Sequence, residues 1–516
     1  MKKTFSKVIS IFLSVVMLCV SMSALAFAAD AETNDVPVIF VDGIDSTDII
    51  NTETGETAFP PSASSIVSGV GKAVLPLISS VLTKNYSKLA DPVSEAVKVI
   101  FDAAACDENG DPVYATTTAY ERPTEEEILA AYKDGTGYTA SDAIFYSYDW
   151  RLDMQTLAEQ LHDFIEYTLE TTGAEKVNLI GFSMGTCVIM TYMNDYDYEY
   201  INNVVLLAGA YNGVSTCGEP FSGQIAFDDE AMVRFLYTML GEDFGSYLLK
   251  AVIDALYQAG VVDGVLDFAT ELVDAILDDV YEDAFKETFA RMAGFWSLIP
   301  YDMYDDAKAL LIGDNVTEEY IAKIDYYHYE IQANNAAIID GARDNGIGVS
   351  IVAKYGSTVP PCIVSINEIG DSVIDTKFES FGATCALANT TLGEDYVQAA
   401  DTEHNHISPD NMIDASTCQY PENTWFIKGL NHADHNDSEW ALCDFLLNSE
   451  TQPTVWDNEA YPQFLTLVDG EFVPMTEENA SNAYAEVTEA ETGFFAKIIH
   501  VIKLIISAFK SLFSLL

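Results

Sequence analysis

Gly181-Phe182-Ser183-Met184-Gly185 is a G-x-S-x-G pentapeptide, a setting in which a serine hydroxyl can become a nucleophile. A short apolar run, 177–180, precedes it, and an apolar helical pattern follows Gly185. Strand, sharp turn and helix in that order make a nucleophile elbow. The turn strains the serine backbone and leaves room only for small residues two positions to either side, hence the two glycines. Ser183 is then lifted clear of the sheet edge. The Met184 amide, at the helix N-terminus, points at any oxyanion formed there. The plainer reading is a glycine-rich turn whose serine caps the helix.

An activated serine needs a base, and the base needs an orienting carboxylate. In this architecture they follow the serine in the order acid, then histidine. Of the seven histidines, His162 precedes the serine and His500 lies near the C-terminus. His328 falls in a helical region, and His404 and His406 in a turn-rich loop. His432 and His435 follow the last apolar strand, 424–429, and precede a closing helix, 437–447. His432 is the nearer to the strand end and is the expected base, with His435 as the alternative. For the acid, Gly370-Asp371-Ser372-Val373 follows an apolar run, so Asp371 is expected and Glu368 is the fallback. A second oxyanion amide is expected from about Ile44, where the first apolar strand, 36–41, stops at Asp42-Gly43-Ile44.

The elements that must hold these residues alternate as strands and helices with short connections. That pattern predicts an α/β fold with an open, mostly parallel sheet. Further strands are expected at 143–148, 203–209, 347–353 and 363–368, and a helix at 154–171. Residues 29–215 form the first part of the core, with a helical insertion at about 60–135. In that insertion helices are expected at 67–82, 93–105 and 123–133, the last with Thr124 as N-cap before Glu127. Residues 216–345 read as helix almost throughout, with broad apolar stripes and acidic polar faces. Inserted after a strand on the active-site edge, they are expected to form a cap or lid over the serine. The core resumes over 346–450, and 451–492 reads as an acidic peripheral segment or linker.

Tyr148-Asp149-Trp150-Arg151-Leu152, then G-F-S-M-G, then G-D-S-V, then a late histidine resembles the lecithin:cholesterol acyltransferase and lysosomal phospholipase group of α/β-hydrolases. The resemblance spans the core segments, about half the chain. It implies an α/β-hydrolase fold with Ser183, Asp371 and His432 as the triad and oxyanion donors at Ile44 and Met184. It further implies that Gly43, Tyr148 and Trp150 lie close to the substrate, although Trp150 would equally serve to pack against the insertion. Three positions depart from the group's pattern: Phe182 replaces the usual histidine, Ser372-Val373 a spaced Thr-Val, and Asp42 a histidine.

The first 28 residues have the make of a bacterial secretory signal, with Lys2, Lys3 and Lys7, an apolar stretch, and Ala26-Phe27-Ala28 before the cut. Removing those three lysines takes the formal charge from −57 to −60. A surface this acidic repels nucleic acid, so no nucleic-acid partner is expected. No calcium-loop spacing appears, and neither a metal nor a cofactor is expected. Seven cysteines remain, an odd number in a long chain, which is not a disulfide scaffold, although one or two bridges are compatible with it. The last segment, 493–516, is basic and amphipathic and is expected to lie on a membrane surface. The composite expectation is a secreted serine hydrolase or acyltransferase acting on lipid or other acyl esters. The alternatives are a non-catalytic binding protein on the same scaffold, and a peptidase or amidase.

Overall fold

A computed structural model describes residues 35–480, apart from 45–46, 134, 197, 239–243, 361 and 401–402. The expected leader (1–28) and the expected basic helix (493–516) lie outside the described residues. Eight strands form the central sheet. In chain order they are β1 (Val38–Val41), β2 (Ile144–Tyr146), β3 (Val177–Phe182), β4 (Ile201–Leu207), β5 (Gly348–Tyr355), β6 (Thr424–Lys428), β7 (Phe464–Val468) and β8 (Glu471–Pro474). Their spatial order is β8-β7-β6-β5-β4-β3-β1-β2. All neighbours run parallel except β7 and β8. Every residue of β1, β3, β5 and β6 is buried, as strands covered by helices on both faces must be. The registers Val41–Gly181, Phe182–Leu207 and Tyr355–Lys428 bring the C-terminal strand ends to one edge. Between β1 and β3 the winding reverses, and a crevice opens at that edge.

The insertion contributes α1 (Ala63–Thr83), α2 (Ala90–Phe101) and α3 (Glu125–Ala130). A reciprocal capping box between Thr124 and Glu127 starts α3. Helices α4 (Met154–Thr172) and α5 (Gly185–Asp195) pack beside the sheet. Asp153 caps the N-terminus of α4 and Gly173, at φ 73°, ends it. The cap comprises α6 (Ser215–Phe221), α7 (Asp229–Thr238), α8 (Phe244–Gln258), α9 (Val261–Asp283), α10 (Ala293–Ser297), α11 (Tyr304–Leu311), α12 (Glu318–Tyr326) and α13 (Asn335–Asp344). It has its own core, in which Trp296, Tyr304, Leu311 and Tyr320 are buried together. After β5 come the single turn α14 (Thr376–Glu379) and the closing helix α15 (Asp437–Leu447).

Two expectations need correction. Residues 363–368 are turns rather than a strand of the sheet. Pro360 and Pro361, just ahead, cannot donate to a ladder; within the stretch Ile363 and Glu368 make only isolated bridges, to Ile225 and Leu387, and the short strand Ile369–Gly370 pairs antiparallel with Ser357–Thr358 outside the main sheet. Conversely, 451–492 is not wholly a linker, because β7 and β8 extend the sheet within it. Phe464 stacks on Phe426 of β6 at 5.3 Å, which anchors this acidic stretch to the core. All seven cysteines outside 1–28 are free thiols, so no bridge staples the fold.

Candidate active site

Ser183 sits between β3 and α5 at φ 53°, a left-handed conformation that strains a side-chain-bearing residue. Close packing holds it there. A β-carbon at Gly185 would lie 2.0 Å from the Val41 carbonyl oxygen, and one at Gly181 would lie 2.8 Å from Ile189 Cδ1. Gly185 is therefore required by space, and Gly181 is crowded by Ile189 and Thr186. The Ser183 N–H donates to the Leu207 carbonyl at 3.2 Å. Its own carbonyl accepts from the Thr186 hydroxyl at 2.6 Å and the Ala210 N–H at 3.1 Å. Met184 is the N-cap of α5, so its N–H has no acceptor within the helix.

The turn after β1 lies against the serine. A β-carbon at Gly43 would stand 2.7 Å from Ser183 Cβ and 3.1 Å from its Oγ. Here the Asp42 departure finds a role, since its carboxylate accepts the Gly43 N–H at 2.7 Å. Burial raises the Asp42 carboxyl above its ordinary range, against the pull of that N–H and of the nearby His435 and His432. The Tyr148 hydroxyl donates to the Asp42 carbonyl at 2.7 Å and braces the turn from below. With the Gly43 amide engaged by Asp42, the Met184 amide beside the serine has no acceptor within its helix.

The structure brings Asp371 and His432 together. Asp371 is fully buried after the short strand Ile369–Gly370. Its Oδ1 accepts the Val373 N–H at 2.9 Å and the Ile374 N–H at 2.7 Å, and its Oδ2 makes a short hydrogen bond with His432 Nδ1. The His432 N–H also donates to the Asp371 carbonyl at 2.6 Å. Burial pushes the Asp371 carboxyl up, but the His432 charge, its hydrogen bond and the two amides outweigh burial and hold it below its ordinary range. The His432 ring lies 4.7 Å from that of Phe182, beside the serine. Phe182, where the resembling group has histidine, is thus the apolar wall of the base. The fallback acid Glu368 pairs instead with Lys377 at 3.2 Å.

His435 has a different partner. It bonds Glu439 one helical turn along, stacks on Trp440 at 4.9 Å, and meets Phe182 edge-on. Glu439 also forms a 2.9 Å ion pair with Lys354, both fully buried. Lys354 Nζ donates in addition to the carbonyls of His432 at 3.1 Å and Asp434 at 2.8 Å, so it ties down the histidine loop. Lys354 and Glu439 were not among the expected residues. A lysine within the apolar run 348–355 is the one signal, because a buried ammonium must have a partner.

Trp150 is buried, packing edge-on against Phe59 at 4.9 Å and Phe295 at 5.1 Å. Arg151 is buried beside it, bonded to Asp149, the Ala104 carbonyl and Thr116. Tyr148 and Trp150 therefore brace the turn after β1 and join core to insertion and cap, and neither presents an open face. A β-carbon at Gly294 of α10 would lie 1.7 Å from the Trp150 carbonyl oxygen and 2.8 Å from Met184 Cε. The cap thus docks directly on the elbow. Among the described residues no three His, Cys, Asp or Glu side chains form a group that could hold a metal ion.

The parallel sheet, the strained elbow serine at its C-terminal edge and the large helical insertion after β4 define an α/β-hydrolase fold with a helical cap. The family model for lecithin:cholesterol acyltransferase matches residues 128–222. That segment holds β2, the Tyr148–Leu152 motif, the elbow and β4, and over it the chain is similar to that group. No curated protein matches the chain. Among solved structures, "The crystal structure of Tle4-Tli4 complex" aligns at 13% identity and a TM-score of 0.27, covering 68% of this chain and 89% of that one.

Proposed function

We propose that this chain is a secreted serine hydrolase of lipid carboxylic esters, with Ser183 as nucleophile, His432 as base and Asp371 as the orienting acid. The carrying observation is the Asp371–His432 hydrogen bond, with the His432 ring against Phe182, the residue before the strained Ser183. His432 Nε2 takes the serine proton as Oγ attacks the ester carbonyl, and the oxyanion is held by the amides of Met184 and Ile44. Water then releases the acid from the acyl-enzyme. An alcohol in place of water would make the same enzyme an acyltransferase, the reaction named in the matching family model.

Ser183 is only 5% exposed, and the turn after β1 packs directly on it. Support for a lipid substrate comes from α1, where Val67, Leu75 and Leu82 are exposed on a helix without one acidic residue. Long-chain or aggregated esters should accordingly outperform acetate or butyrate in a chain-length series. Ser183→Ala should fold normally and lose about 10⁴-fold or more in kcat. A fluorophosphonate adduct mapped to any other serine would refute the assignment. Export through 1–28 and membrane contact through 493–516 belong to the same proposal. A chain ending at Thr492 should stop co-sedimenting with anionic vesicles while turning over a soluble ester as before. Undiminished sedimentation would remove the C-terminal segment from the proposal.

A further inference from the structure

Behind the Asp371–His432 pair stands a second carboxyl that the reaction does not obviously need. Glu379 ends the single turn α14 and is fully buried. Its position is clamped from three sides. The Thr376 hydroxyl donates to the Lys354 carbonyl at 2.9 Å, the Tyr211 hydroxyl to the Glu379 carbonyl at 2.7 Å, and Asn212 Nδ2 to the Phe378 carbonyl at 2.9 Å. One side-chain oxygen, Oε2, accepts the Lys354 N–H at 2.7 Å. The other, Oε1, is buried and reached by no donor. What lies beside Glu379 is the Asp371 carboxyl, close enough for the two side chains to share a hydrogen bond if one of them holds a proton.

Two carboxyls in hydrogen-bonding contact and shut from water share one proton, because adjacent like charges cannot both ionise there. The donors decide which group keeps it. Asp371 has three, the amides of Val373 and Ile374 and the His432 ring. Glu379 has one, the Lys354 amide. The nearby ammonium of Lys354 pulls the Glu379 carboxyl down only weakly, since it is committed to Glu439 and to the carbonyls of His432 and Asp434.

We propose that Glu379 stands behind Asp371 as an uncharged carboxylic acid whose O–H donates to the Asp371 carboxylate, making it a positioning residue for the Asp371–His432 pair. Burial first, and then the Asp371 charge, hold the Glu379 carboxyl well above its ordinary range, in keeping with that state. The donated hydrogen bond fills the remaining side of Asp371 and moderates its charge, so that the imidazolium formed during acyl transfer is stabilised without being trapped. The sequence does not mark Glu379, which reads in Thr376-Lys377-Phe378-Glu379 as a surface residue.

The inference rests on the proposed triad, and its test keeps the two apart. The kcat/KM for a soluble ester is measured against pH for the wild type, Glu379→Gln and Glu379→Leu. An infrared difference spectrum of wild type against Glu379→Gln at neutral pH is recorded alongside. Glutamine can accept from Lys354 and donate to Asp371 as the neutral acid does. It should keep kcat/KM within about threefold of the wild type, with an unmoved acid limb. Leucine removes the donor and leaves Asp371 more strongly charged, so the acid limb should move up by roughly one pH unit. The infrared difference should show the carbonyl band of a protonated carboxyl present in the wild type and lost in Glu379→Gln. The proposal is overturned if Glu379→Gln moves the acid limb to lower pH, the sign expected when a real negative charge is taken from beside Asp371. It is overturned equally if the protonated band is missing from the wild type. The infrared result is independent of turnover, so activity surviving in Ser183→Ala would refute the triad without deciding the state of Glu379.

Discussion

Two histidine–carboxylate pairs sit on one loop, and both histidine rings touch Phe182. His432 pairs with Asp371, a residue from a distant loop whose carboxylate is otherwise met only by amides and a neighbouring carboxyl. His435 pairs with Glu439 on the start of its own helix, and that carboxylate already neutralises the buried Lys354. The two rings are also packed differently. His435 is stacked on Trp440 and edge-on to Phe40, whereas among the described residues His432 meets the ring of Phe182 alone. A short histidine–carboxylate bond therefore does not by itself make a base. What matters is whether the carboxylate's charge is free to answer a charge on the ring, and whether the ring can turn toward a substrate.

The comparison breaks most readily at the histidines. His432→Ala should lose about 10⁴-fold in kcat, as removal of a triad member does, while His435→Ala should keep most of the activity. Steady-state turnover of a soluble ester decides this, and the reverse pattern would exchange the roles of the two pairs. The carboxylates should part along another axis. Glu439→Gln strands the buried Lys354 ammonium and should cost about 3–5 kcal/mol of stability in a denaturant melt. The folded fraction of that variant should still turn over ester. A large kcat loss with unchanged stability would make Glu439 part of the chemistry.

The smallest effect concerns Asp375, next to the acid loop, and sharpens the contrast with Asp371. Burial raises the Asp375 carboxyl to about 6 from 3.8, although the Ser215 N–H and hydroxyl bond to it. Between those two values the folded chain holds a proton that the unfolded chain has released. Stability from this group is therefore full below 3.8 and declines as pH rises toward about 6. Asp371, depressed in the fold, acts in the opposite sense, and its contribution is lost as pH falls. Asp375→Asn should thus gain Tm relative to the wild type as pH rises through that window. A Tm difference that stays constant from pH 4 to 6 would refute the assignment.

Much of the site was legible from local pattern. G-x-S-x-G between an apolar run and a helical one specifies the elbow, because the crowding of Gly181 by Thr186 and Ile189 and the strain at Ser183 are set within a few residues, whereas Gly185 is enforced by the distant Val41 carbonyl. Thr124 and Glu127 announce their helix start for the same reason. The expected strand at 363–368 failed, and the acidic segment that begins at 451 proved to add strands to the sheet edge, because pairing partners elsewhere decide such stretches, β7 being held by Phe426.

The amino-acid order alone determined the chemistry on offer: one elbow serine, two histidines after the last core strand, and acids in the loop before them. Which histidine meets which acid was decided only by the folded chain. Asp371 and His432 come from separate loops, and their bond depends on β5 and β6 running side by side. Glu368, only three residues from Asp371, is turned instead toward Lys377. Lys354, Glu379 and Glu439 show no periodicity that betrays them, since the pairing of a buried charge depends on strand and loop neighbours far away in the chain. Local sterics act over a turn or two and can be read from residue order, whereas burial and electrostatic pairing exist only once distant segments share a core.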